Sequence, residues 1–206
     1  MKFTSSTEEL NIFCNEIVQH SDYVAIDTEF RRTNTYAPQL SLIQLATPFV
    51  SAVIDLLAFT DHSVIASYLK TSTLIKIFHA PRQDLEAFLR RLQVMPQNCY
   101  DVQLMAQFDG VSNLEGLDVL VKKYLGLTLN KTEQQSNWLK RPLSSAMLEY
   151  AHKDVQLLIP LYKAIKHRIE YKNCWFEEET QRYQSLSRYR STPYTLYKKL
   201  KKNFSI

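Results

Sequence analysis

Tyr23-Val24-Ala25-Ile26-Asp27-Thr28-Glu29-Phe30 is the stretch that decides the fold. Its β-branched and aromatic residues predict a strand. Residues two apart on a strand point to the same side, so the carboxylates of Asp27 and Glu29 face one spot. Acids at the end of an apolar strand are costly unless they are paired or bind metal. A turn-capping role for Asp27 is the other reading. Outward from this strand, residues 40–46 (LSLIQLA) alternate and predict a second strand, and residues 50–54 a short third after the turn at Pro48. Together these make an antiparallel three-strand opening. Before it, Ser6-Thr7-Glu8-Glu9 has the form of a capping box. Leu10, Phe13 and Ile17 then follow at helical spacing, in a helix ending near His20.

Beyond the third strand the pattern alternates. Residues 61–69 predict a helix, 74–78 a buried strand and 83–92 an amphipathic helix stopped before Pro96. Asp101 is placed to cap a helix over 102–108. Leu114, Leu117, Leu120, Val121 and Tyr124 share a face of a helix over 114–124, with Gly126 at its C-terminal stop. Residues 128–142 are polar and irregular. A long helical region starts at Ser144, and Pro160 is expected to kink or divide it. Antiparallel strands followed by strand–helix units predict an α/β fold with a mixed sheet flanked by helices.

Composition narrows the function. The chain has 206 residues, 45% apolar and 22% charged, as expected of one globular domain. No apolar run reaches the roughly 18–20 residues of a membrane span. The N-terminus has no signal-peptide core, so a cytoplasmic location without membrane contact is expected. Cys14, Cys99 and Cys174 form no CxxC pair, which argues against a disulfide framework or a zinc site. With only three glycines, Gly110, Gly116 and Gly126, no GxGxxG or GxxxxGK[ST] loop can form. Phosphate chemistry must therefore use side chains or metal ions. The formal charge of +4 is uneven: the last 26 residues hold seven basic and no acidic residues, leaving 18 basic against 21 acidic before them. That tail is interleaved with Tyr183, Tyr189, Tyr194 and Tyr197, a composition suited to a phosphate backbone or to a solvated terminal helix.

Two further acids stand out. Asp84 falls in the first turn of the helix after the buried strand, where an acid can simply oppose the macrodipole. Tyr150 and Asp154, at i and i+4, share one helix face; a half-buried aromatic is the alternative for Tyr150. Meeting in a small volume, Asp27, Glu29, Asp84 and Asp154 would repel one another and raise their own pKa values. Divalent cations relieve that repulsion, and oxygen ligands without His or Cys favour Mg²⁺ or Mn²⁺. Two such ions about 4 Å apart can clamp the attacking and leaving oxygens of a phosphodiester.

With these residues assembled, the sequence resembles the catalytic domain of ribonuclease D. This family lies in the DEDD superfamily of 3′–5′ exonucleases, in the branch with tyrosine in its third motif. The first motif runs from Val24 through Asp27-Thr28-Glu29-Phe30 to Tyr36-Ala37-Pro38-Gln39-Leu40 and Leu42-Ile43-Gln44-Leu45. The second is Ile77-Phe78-His79-Ala80 with Asp84-Leu85, and the third Tyr150-Ala151-His152-Lys153-Asp154. Between them, Gly116-Leu117, Gly126, Lys131 and Gln135-Ser136-Asn137-Trp138 also follow the family, over roughly residues 5–170. Asn137 departs from the usual Asp.

The resemblance implies an RNase H-like sheet, its first three strands antiparallel and the rest parallel, with helices on both faces. It implies two divalent metal ions on the four acids, and Tyr150 orienting the attacking water. Release of 5′-nucleoside monophosphates from RNA 3′ ends follows, on tRNA precursors or short oligoribonucleotides. By the same resemblance the backbone of Thr28 meets the terminal sugar, Phe30 packs on its base, and Gln44, His79 and Gln135 line the site; His79 has a strand-end structural role as its alternative. Trp138 is expected to pack under the site loop. The expected organisation is an exonuclease domain over 1–172 and a basic helical extension over 173–206, a short form without HRDC domains. Homo-oligomerisation stays open. DNA as substrate and an inert binding module are the competing readings.

Overall fold

A computed structural model describes residues 2–4, 6–129, 133, 136–183, 185 and 189 of the chain. Ser6 caps α1 (Thr7–His20) as expected, its Oγ accepting from the Glu9 amide at 3.3 Å. The three antiparallel strands are β2 (Tyr23–Arg31), β3 (Gln39–Ala46) and β4 (Ser51–Asp55). Next come α2 (Ser63–Lys70), β5 (Ile75–Phe78), α3 (Arg82–Leu92) and α4 (Val102–Phe108). The chain continues through α5 (Leu117–Leu125), α6 (Ser145–Lys166) and α7 (Asn173–Tyr183).

Two strands escape the sequence reading. β1 (Lys2–Thr4) adds in parallel to β4, and β6 (Cys99–Asp101) in parallel to β5. Three residues are too few to display a period of two. The six-stranded order is β1-β4-β3-β2-β5-β6. One face packs on α1, α2 and α3 through Phe13, Ile26, Ile54, Leu69 and Phe88. The other packs on α4, α5, α6 and α7 through Ile77, Val102, Val121, Leu158 and Phe176. Helices thus cover both faces of a mixed sheet, as expected.

Two helix limits need correction. α5 begins at Leu117, not at residue 114, and Leu114 is 71% exposed. The Glu115 carbonyl is taken by His79 Nε2 and by Gln103 Nε2, each at 3.0 Å, which holds this backbone outside the helix. Pro160 does not divide α6, which runs unbroken through it. Val155, Leu158, Ile159, Leu161 and Tyr162 are buried on either side of the proline and anchor both halves to the core. Gly126 ends α5 in the left-handed region at φ 70°, as its position predicts. Of the tail's tyrosines, Tyr189 is buried against the first core cluster, so it is not free to stack on a base. Tyr194, Tyr197 and the basic residues Arg188, Arg190, Lys198, Lys199, Lys201 and Lys202 lie outside the described residues. Cys14 and Cys99 are buried and Cys174 is exposed.

β5 carries an unexpected cation. Lys76 is fully buried, and its ammonium donates to the Thr71 carbonyl at 2.5 Å and the Leu74 carbonyl at 3.0 Å. Burial pulls its pKa down to about 8 from 10.5, while the neighbouring Cys99 thiol, pushed up to about 12 by burial, stays neutral. Between pH 8 and 10.5 the unfolded chain therefore binds the proton that the folded chain has lost. Stability attributable to this group rises with pH across that window. We expect urea melts at pH 7.5 and 10 to show a gain of about 1–2 kcal/mol in the wild type relative to Lys76→Met, which lacks the group. Equal pH responses in the two proteins would refute the assignment.

Candidate active site

β2 is a central strand at which the sheet changes sense, antiparallel to β3 on one side and parallel to β5 on the other. Its alternation sends Val24 and Ile26 into the first core cluster and Ala25 into the second. Asp27 and Glu29 follow Ala25 onto the α6 side. The β2–β3 register shifts between Glu29 and Phe30, where β3 carries the extra residue, Ser41.

The second wall is built by a turn after β5. Ala80 takes φ 50°, and the buried Asp101 carboxylate accepts its amide at 2.9 Å and that of Gln103 at 2.8 Å. This turn delivers Asp84 in the first turn of α3. There the Thr28 hydroxyl donates to Asp84 Oδ1, while the Thr28 amide donates to Asp27 Oδ1 at 2.9 Å. The third wall is α6, started by Ser144 Oγ accepting from the Met147 amide at 3.2 Å. Its second turn places Tyr150, and Asp154 follows one turn later.

These walls enclose an open cleft of about 340 Å³. It is lined by Asp27, Thr28, Glu29, Phe30, His79, Asp84, Tyr150 and Asp154, eight of the residues singled out from sequence. Gln44 is not among them. It pairs with Asp27 across the β2–β3 ladder and is 0% exposed. Among the described residues neither atom of its side-chain amide has a partner. Gln135 and Lys131 lie outside the described residues. His79 stands in the cleft wall, but its Nε2 faces the Glu115 carbonyl; a carbonyl only accepts, so that nitrogen carries the proton. Gln83 and Asp118 also line the cleft, and Asp101 supports it from behind. Nothing in the local sequence distinguishes Gln83 or Asp118 from ordinary helix-start residues.

The electrostatics are those of crowded carboxylates. Burial, then Asp84 and then Asp154, hold the Asp27 carboxyl well above the usual carboxylate range. Glu29 is pushed up to about 10 by burial, with Asp27, Asp154 and Asp84 adding to it. Asp84 rises to about 6, mainly through burial, against the pull of the Thr28 hydroxyl. Tyr150 is driven above its ordinary value by burial, then by the charge of Asp154, to which its hydroxyl donates. The phenol is therefore held protonated. Such a site favours hard cations that cancel the repulsion. Among the described residues no three acidic, His or Cys side chains are set to enclose one ion. Mg²⁺ typically takes one or two carboxylates and leaves its other positions to water and substrate phosphate, so the donor set fits ions shared along the cleft.

An acidic cleft where a mixed sheet changes sense, closed by a helix carrying Tyr150 and Asp154, defines a class. The chain belongs to it: the 3′–5′ exonuclease family, whose model matches residues 1–170. Family membership implies two-metal-ion catalysis. Within the family the chain is similar to ribonuclease D. It is 36% identical to ribonuclease D of Granulibacter bethesdensis over 200 residues, 96% of this chain and 50% of the relative. It is 42% identical to that of Escherichia coli over 146 residues, 71% of this chain and 39% of the relative. The chain thus spans half or less of the length of these relatives. The crystal structure of Escherichia coli RNase D, an exoribonuclease involved in structured RNA processing, superposes with a TM-score of 0.86 at 35% identity. That match covers 93% of this chain and 51% of the other. Trypanosoma brucei RNase D in complex with RNA U12 gives a TM-score of 0.71 at 26% identity, over 80% of this chain and 61% of that one. No described helix is long and apolar enough to cross a membrane.

Proposed function

We propose that this chain is a cytoplasmic, metal-dependent 3′–5′ exoribonuclease that releases 5′-nucleoside monophosphates from RNA 3′ ends. The observation that carries this reading is the convergence of Asp27, Glu29, Asp84, Asp154 and Tyr150 on one cleft. Asp27, Glu29, Asp84 and Asp154 are the residues that would hold two Mg²⁺ or Mn²⁺ ions. Such ions activate a water and neutralise charge on the leaving oxygen. The chain's own groups do the rest. Tyr150, kept protonated beside Asp154, holds the attacking water in line rather than deprotonating it. Phe30, half-buried at the cleft mouth, offers a face for the terminal base. The Thr28 side chain is committed to Asp84, which leaves only its backbone to meet the sugar.

The substrates proposed are tRNA precursors and short oligoribonucleotides. The test is digestion, in Mg²⁺ and in Mn²⁺, of a panel from dinucleotides to 3′-extended tRNA, with sequence-matched DNA alongside. Stepwise shortening of the RNA from its 3′ end, with mononucleotide product, is expected. Faster loss of the DNA would overturn the choice of RNA.

A further inference from the structure

We propose that Arg141 and Asp55 form a positioning pair for Tyr150, acting through Trp138. Neither residue touches the cleft. Asp55, at the end of β4, is buried, and the Arg141 guanidinium grips it with both arms: Nε to Oδ2 and Nη2 to Oδ1, each at 2.6 Å. The remaining donors of the same guanidinium reach the segment ahead of α6. Nη1 donates to the Trp138 carbonyl at 2.7 Å and to the Lys140 carbonyl at 3.0 Å, and Nη2 to Ser41 Oγ at 3.0 Å. Ser41, fully buried on β3, donates in turn to the Trp138 carbonyl at 2.6 Å.

The backbone of Trp138 is thus fixed to two strands of the sheet. The indole, only 1% exposed, packs with Leu42, Val53 and Ala151, and its ring centroid lies 6.1 Å from that of Tyr150. The helix that carries Tyr150 starts at its Ser144 cap, three residues after Arg141. The clamp therefore sets both the entry of α6 and the aromatic surface against which the phenol rests. An exposed ion pair contributes little. This one is held by a planar fork that matches a carboxylate, a geometry lysine cannot reproduce. A reacting water needs its partner placed to within a fraction of an ångström, and a shift of about 1 Å can cost about 100-fold in rate.

The activity half of this inference rests on the role proposed for Tyr150, so the test has two arms. In a Trp175→Phe background, which leaves Trp138 as the one tryptophan, Arg141→Lys is expected to make Trp138 emission more accessible to acrylamide. In single-turnover and steady-state RNA digestion, Arg141→Lys is expected to lower kcat by about 10- to 100-fold with KM within about twofold. Combined with Tyr150→Phe, Arg141→Lys is expected to cause no further loss of kcat, because it acts through the residue already removed. A purely structural role would instead give losses that multiply. Asp55→Asn is expected to behave like Arg141→Lys, from the other end of the pair. If Trp138 stays as shielded as in the parent, or if the two losses of kcat multiply, the positioning pair is overturned. If the parent protein itself fails to shorten RNA, the function reading falls, and the quenching arm alone decides whether the clamp holds Trp138.

Discussion

Asp27→Asn is expected to lower kcat/KM for RNA digestion by more than about 10³-fold while leaving the protein folded. Asparagine has nearly the shape of aspartate and can still accept the Thr28 amide that Asp27 Oδ1 takes at 2.9 Å. What it removes is a charge within the acid cluster, at a carboxyl whose pKa is raised by burial and by both Asp84 and Asp154. The metal-free variant should be at least as stable as the wild type, because a carboxylate is costly among three others. The wild type should be stabilised by Mg²⁺ or Mn²⁺, by about 2.7 kcal/mol at 100 times the dissociation constant. Most of that gain should vanish in the variant. Asp154→Asn, on the opposite wall, should have the same two effects. Loss of activity with the metal-induced thermal shift intact would mean that Asp27 acts on substrate rather than on the ions. Retention of activity in Mg²⁺ would sink the two-metal assignment.

The sequence exposed the site more readily than the fold's edges. Asp27 and Glu29 were legible because a strand's period of two forces them to one side, and Tyr150 and Asp154 because a helix's turn does the same. Local periodicity cannot show that these faces meet Asp84, since the meeting depends on the β2–β5 pairing and on the turn held by Asp101. Resemblance to a family supplied that step. Gln44 reads from the motif as a site-lining group, yet beside Asp27 in the ladder it is fully buried and does not line the cleft. β1 and β6 were illegible because each is a three-residue strand whose identity comes from its partner. The start of α5 is hidden from the sequence because an apolar period runs on through Leu114, while tertiary hydrogen bonds to the Glu115 carbonyl hold that backbone outside the helix. The Arg141–Asp55 clamp joins residues 86 apart in sequence and leaves no local signature.

Tyr150→Phe is expected to lower kcat by about 10²- to 10³-fold with KM nearly unchanged. The substitution removes one oxygen. The ring that remains still packs against Trp138, so the fold of α6 should be kept. The hydroxyl is half-buried and donates to Asp154, and its pKa is raised rather than lowered. It is thus a fixed donor, and its loss frees the attacking water to rotate and leaves Asp154 without that hydrogen bond. Because the four acids are untouched, the thermal shift caused by Mg²⁺ or Mn²⁺ should match that of the wild type, in contrast to Asp27→Asn. This pairing of readouts separates holding the metals from positioning the water: Asp27 should fail in both, Tyr150 only in turnover. A rise in KM with kcat preserved would instead make Tyr150 a substrate-binding group. Loss of the metal-induced shift would make it part of the support for Asp154, and the positioning role would then be wrong.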